Sequence, residues 1–193
     1  MNSKKFAKNL IDFIYNSPTA FHAVSTSKEL LDANGFRELD LCKVWDIKVG
    51  GKYYITKNSS AIVAFTVNSN NIEKEGFRII GSHSDSPSFR IKPNAEIQSE
   101  KSYLKLNTEC YGGPILSTWL DRPLGIAGRV ILRSENVLNP KEVIVNLDKP
   151  VCIIPNLAIH MNRSVNEGYA FNKQKDMLPL VGLLNESLEK DNF

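Results

Sequence analysis

The stretch GSHSDSPSFRIKP, residues 81–93, sets an imidazole, His83, two positions before a carboxylate, Asp85. The apolar run Phe77, Ile79 and Ile80 leads into it and reads as a short strand over residues 77–82. In a strand, positions i and i+2 share a face, so the Asp85 carboxylate is expected to reach the His83 ring. A partner of that kind fixes the tautomer of a metal-binding imidazole and raises its basicity. Taken alone, the pair also fits a satisfied surface histidine beside an aspartate that caps the turn before Ser86-Pro87. The chain holds three histidines. His22 follows Pro18-Thr19-Ala20-Phe21 at a helix start and reads as structural, and His160 stands in the later segment LAIHMN.

The elements that must position these residues fall into two regions. Phe6, Leu10, Ile11, Phe13 and Ile14 recur at helical spacing and predict a helix over 3–15. Asn16-Ser17-Pro18-Thr19 ends it, because proline disfavours helix in the residue before it. A second helix over 20–33 closes at Asn34-Gly35, with Phe36 and Leu39 packing back on it. A hairpin follows, 52–57 and 61–68, joined through Asn58-Ser59-Ser60. From about Asn94 the pattern changes to β-leaning runs at 102–110, 126–133, 142–147 and 151–154, separated by turn residues. Residues 177–188 read as a short helix beginning near Pro179. The fold class expected is therefore α/β: residues 1–93 open an α/β sheet with helices against it, and residues 94–193 form an inserted, mostly antiparallel β domain.

Composition narrows the function classes. The chain has 193 residues, 42% hydrophobic and 23% charged, as in a soluble globular protein of one or two domains. Its apolar runs are too short to span a bilayer, and Lys8, Asn9 and Asp12 interrupt the first helix where a secretion signal needs a continuous apolar core. A cytoplasmic location without membrane contact is the expectation. The net charge is +3, with lysines scattered rather than focused into a stripe with aromatics, so nucleic-acid binding is not expected. Cys42, Cys110 and Cys152 are far apart, with no Cys-x-x-Cys pair. Reduced, mostly packed thiols fit better than a zinc knuckle or disulfide framework.

Five ordered segments resemble the aspartyl aminopeptidase family of zinc metallopeptidases. They are NSPTAFHAV at 16–24, HSDSPSFRIKP at 83–93, YGGPILSTWLDRPLGIAGRV at 111–130, IPNLAIHMNR at 154–163 and NKQKDMLPLVG at 172–182. The resemblance implies that His83 is a metal ligand and that Asp85 holds its ring. It implies two zinc ions per complete site, a bridging water activated by a glutamate, and hydrolysis that removes one residue, in some members an acidic one, from a peptide's N-terminus. A histidine matching His160 is reached from a neighbouring subunit in this family and helps hold the substrate or transition-state oxygen; a satisfied histidine at an interface is the alternative. The Trp119–Gly125 segment is implied to line the subunit contact or the mouth of the site. Asp121 beside Arg122 there makes either an ordering ion pair or a simple turn. Homo-oligomers built through the β domain are the expected assembly.

A catalytic zinc takes three protein ligands plus water, and a pair takes more. In the resembled family the bridging aspartate, the general-base glutamate with its ligand neighbour, another carboxylate and a last histidine all follow the β domain. Glu109, Glu135, Glu142 and Glu186 stand in contexts unlike those motifs. The chain is therefore read as the N-terminal portion of such an enzyme, with one metal ligand present and the isolated 193-residue polypeptide inactive. The alternative is a non-catalytic oligomerisation module derived from such an enzyme. A glutamyl aminopeptidase or aminoacylase-like exopeptidase is a third reading, which the Trp-Leu-Asp-Arg-Pro-Leu-Gly and Ala-Ile-His-Met-Asn-Arg segments disfavour.

Overall fold

The computed structural model describes residues 3–135, 138 and 140–184. In chain order it contains α1 (Ser3–Tyr15), α2 (Ala20–Ala33), β1 (Arg37–Glu38), β2 (Lys52–Lys57), β3 (Ala61–Thr66), β4 (Ser88–Ser99), β5 (Tyr103–Tyr111), β6 (Pro123–Leu124), β7 (Ala127–Leu132), β8 (Lys141–Asn146), β9 (Cys152–Ile153) and β10 (Leu180–Leu183), with short helical turns between some of them. Two compact units result, Met1–Ser86 with Ala127–Val145, and Pro87–Ile126 with Asn146–Phe193. The boundary drawn from sequence near Asn94 falls inside β4. No helix among the described residues is long and apolar enough to cross a membrane.

In the first unit, local chemistry sets both long helices. Thr19 caps α2: its hydroxyl accepts from the His22 backbone N–H at 3.4 Å and pairs with His22 Nδ1 at 2.8 Å. The other end closes with Phe36 N donating to Leu31 O and Gly35 N donating to Asp32 O, both 3.0 Å. Gly35 sits at φ +77. This paired arrangement satisfies carbonyls the helix would leave open, and it needs a left-handed residue that glycine supplies without strain. β1 runs parallel to β2, which pairs antiparallel with β3. Ala23, Val24, Leu39, Tyr53 and Tyr54 are buried here. Tyr54 donates its hydroxyl to Asp32 Oδ1 at 2.8 Å, and burial first, then this carboxylate partner, pushes its pKa up to about 12. The apolar stripe of α1 behaves differently: Phe6, Leu10, Ile11 and Ile14 all stay exposed.

His22 gives this unit a pH response. Burial holds its pKa below the ordinary histidine value, so the folded chain prefers the neutral ring. Its contribution is complete above the unfolded-state pKa of about 6.5 and falls away as pH drops through that value toward the lower folded pKa. Thermal melts of the chain are expected to lose stability as pH falls below about 7, and the slope should flatten in His22→Gln. An unchanged slope in that variant would assign the acid sensitivity to other groups.

The second unit holds a five-stranded sheet in the order β4-β5-β10-β9-β6, and every neighbouring pair is antiparallel. Leu104, Leu106 and Thr108 alternate along β5 and are buried together with Ile154, Met177 and Leu178. Successive side chains of a strand point to opposite faces, so one face of β5 supplies half of this core. β4 carries Pro93 in its middle, where the register to β5 jumps between Ile91 and Glu96. Proline donates no ladder hydrogen bond and is confined to edge strands and bulges; β4 is both an edge strand and irregular at that point.

Two sequence expectations are corrected. Residues 180–183 form a strand rather than part of a helix, and residues 185–188 lie outside the described residues. A short apolar run is helix or strand according to its neighbours. Here β5 and β9 flank it, with Leu106 N donating to Pro179 O at 2.8 Å and Leu184 N to Ser102 O at 2.7 Å. Residues 77–82 form no strand. Their backbone finds no ladder among the described residues, and Phe77, Ile79 and Ile80 are 78%, 85% and 100% exposed. A strand exists through the partners that satisfy its N–H and C=O groups.

Candidate metal centre

Without a strand to align them, His83 and Asp85 still meet, within an irregular loop. His83 Nδ1 lies 2.9 Å from the Asp85 backbone oxygen and 3.1 Å from Asp85 Oδ1. A carbonyl oxygen only accepts, so Nδ1 is the donor to it, and in the neutral ring Nε2 is then the nitrogen that keeps its lone pair. The His83 side chain is 83% exposed and that of Asp85 40% exposed. The ring therefore presents Nε2 outward while its other nitrogen is held by an acceptor, which is how a ligating histidine is oriented. This donor suits a zinc ion. Among the described residues, however, no group of three or more His, Cys, Asp or Glu side chains comes together to hold one. The chemistry fits one ligand position rather than a complete coordination sphere.

The other candidates separate by unit. His22 belongs to the α2 cap, in agreement with a structural part. His160 lies in the second unit, exposed in a turn closed by Met161 N and Asn162 N on Ala158 O, at 2.8 and 3.2 Å. Leu157, Ile159 and Met161 around it are also exposed. At Asp121 the turn prevails over the ion pair: its φ is +56, its N–H donates to Ile154 O at 2.9 Å, and its Oδ1 accepts from Asn156 N at 2.9 Å. These bonds tie the Trp119–Gly125 segment to the chain after β9, while Trp119 packs edge-on against Phe89 with ring centroids 5.0 Å apart. Cys42, Cys110 and Cys152 are free thiols, Cys42 exposed and the others partly buried.

One participant escaped sequence reading. Ser84, between the imidazole and the carboxylate, donates its hydroxyl to Ser60 O at 2.9 Å. No spacing signals a bond to a residue 24 positions away.

Comparison with known proteins establishes the family of the chain. A family model described as aminopeptidase I zinc metalloprotease (M18) matches residues 13–192. The chain belongs to this family. A probable M18 family aminopeptidase 2 from Clostridium novyi (strain NT) is 59% identical over 192 residues, covering 100% of this chain and 44% of the relative. A chain of the cryo-EM structure of the Ape4 and Nbr1 complex matches with a TM-score of 0.89 and 38% identity, over 97% of this chain and 36% of that one. The S. cerevisiae mApe1 dodecamer matches with a TM-score of 0.77 and 31% identity, over 94% of this chain and 39% of that one. The M18 chain described here thus spans less than half the length of each. The resemblance of the five segments leads to the same metallopeptidase family.

Proposed function

We propose that this chain is the N-terminal portion of a zinc-dependent aminopeptidase, and that His83 donates Nε2 to one of its zinc ions while Asp85 orients the ring. The observation that carries the reading is the contact of His83 Nδ1 with the Asp85 backbone oxygen and Oδ1, which leaves Nε2 available on an exposed ring. Family membership supplies the reaction class, release of single N-terminal residues from peptides, with acidic residues the first to test. Zinc, when bound, lowers the pKa of a water nucleophile and polarises the scissile carbonyl. The chain's own contribution is to fix one imidazole against rotation and tautomer exchange. The first unit is read as the opening of the catalytic domain and the second as a dimerisation-type β domain. His160 acts from the second unit on the substrate of a neighbouring subunit, and the assembly works in the cytoplasm.

A second reading, an oligomerisation module without hydrolysis, has its own support: Leu157, Ile159 and Met161 are exposed beside His160, and the mApe1 relative is a dodecamer. Hydrolysis of aspartyl- and leucyl-p-nitroanilide with added zinc or cobalt separates the two. An enzyme carrying this sequence at the length of its M18 relatives is expected to give chelator-sensitive turnover. The 193-residue chain alone is expected to give none above background, because its described residues assemble no ligand group of three. Turnover by the short chain would refute the incomplete site; inactivity of the long enzyme on every peptide tried would favour the module.

A further inference from the structure

We infer that Ser84 is a positioning residue for His83, and that it works by docking the His83 loop onto the β2–β3 turn, which Arg129 of β7 and Glu142 of β8 also bind. The inference rests on the reading of His83 as a metal ligand. Residues 77–87 form no regular element, and most of them are exposed. Ser84 is partly buried, and its hydroxyl reaches Ser60 O at 2.9 Å. A loop of this kind holds a ligand still only if some contact offsets the freedom of its backbone.

The acceptor is itself held rigidly. Asn58 and Ser59 sit at φ +52 and +56, the doubly left-handed geometry of tight hairpin turns, and Ser60 N donates to Lys57 O at 3.2 Å. Arg129 on β7 donates from Nη1 to Asn58 O at 3.1 Å. The same guanidinium pairs with both Glu142 oxygens at 3.3 Å and lies over the Phe21 ring at 4.4 Å from its centroid. Ser59 closes the clamp, donating its hydroxyl to Glu142 Oε2 at 3.2 Å. Arg129 of β7 and Glu142 of β8 therefore both bond to this three-residue turn, with Phe21 of α2 against the guanidinium, and its last carbonyl takes the Ser84 hydroxyl. All of these groups belong to the first unit. Ser84 touches neither the ring nor a metal; it fixes the backbone between His83 and Asp85, and thereby the distance over which Nδ1 meets Asp85.

The test uses the 193-residue chain with 15N-labelled histidine, observed by ring-nitrogen NMR at about pH 8, above the ordinary histidine range. His83→Ala assigns the resonances. Metal-free wild type is expected to show Nδ1 protonated, and zinc chloride should then move Nε2. In Ser84→Ala the His83 nitrogens are expected to shift toward the average of the two tautomers, and the zinc concentration for half-response should rise roughly fivefold, below the tenfold or more that loss of a direct partner produces. Ser84→Thr, which keeps the hydroxyl, should return to within about twofold of wild type. Backbone amides of α2 and β2 should not move in either variant, showing that the fold is intact. An unchanged tautomer and unchanged zinc response in Ser84→Ala would overturn the positioning role. A wild-type Nε2 that ignores zinc in this incomplete site would leave the tautomer comparison to decide, by itself, whether Ser84 positions His83.

Discussion

In an enzyme of M18 length carrying this sequence, His83→Ala is expected to lose roughly a thousandfold or more in kcat/KM, since metal polarisation is worth several kcal/mol and each 1.4 kcal/mol is about tenfold in rate. Metal analysis should show a lowered zinc content. The partner substitution behaves differently for a structural reason. Asp85 meets Nδ1 through its backbone oxygen at 2.9 Å as well as through Oδ1 at 3.1 Å. Asp85→Asn removes the carboxylate charge and leaves the backbone acceptor in place. Its cost should lie near the lower end of the 10- to 100-fold range typical of residues that orient ligands, roughly tenfold. The ordering of the two variants is the informative outcome. A His83→Ala enzyme with full activity and undiminished zinc content would remove His83 from the coordination sphere; an Asp85→Asn enzyme as inactive as His83→Ala would make Asp85 itself a ligand.

The parts of this fold readable in the sequence are those fixed by short-range chemistry. Helical spacing and the Thr19 and Gly35 signals placed α1 and α2, and turn residues placed the β2–β3 hairpin. What sequence missed was decided by neighbours. β4 was hidden because Pro93-Asn94 reads as a turn, and only an edge position with a register jump lets a strand contain it. β10 was hidden because Leu180 to Leu183 suits either element until β5 and β9 flank it. The run over 77–82 errs in the opposite direction: its composition says strand, yet the described residues offer its backbone no ladder. The site divides along the same line. His83 and Asp85, two residues apart, meet although the backbone is an irregular loop rather than a strand, so their pairing was legible. The Ser84 bond to Ser60 depends on a turn folded 24 residues earlier, and the clamp on that turn on residues 71 and 83 positions beyond their partners in it.

His160→Ala is expected to lower kcat about 10²- to 10³-fold, the loss seen when one donor to a developing oxyanion is removed, with zinc content unchanged. Lost metal instead would make His160 a ligand and show the proposed role to be wrong. The substitution also tests the assembly. His83 belongs to the first unit and His160 to the second, and the proposal takes each active site's pair from two different subunits. Such sites can be rebuilt from two inactive chains. In a mixed assembly, a site with His83 from the His160→Ala chain and His160 from the His83→Ala chain is whole. With equal amounts and random placement in a symmetric oligomer, about a quarter of sites are whole, so about a quarter of wild-type activity should return. If His160 serves the site of its own chain, no arrangement of the two variants is complete. Co-assembled enzyme would then stay as inactive as its parents.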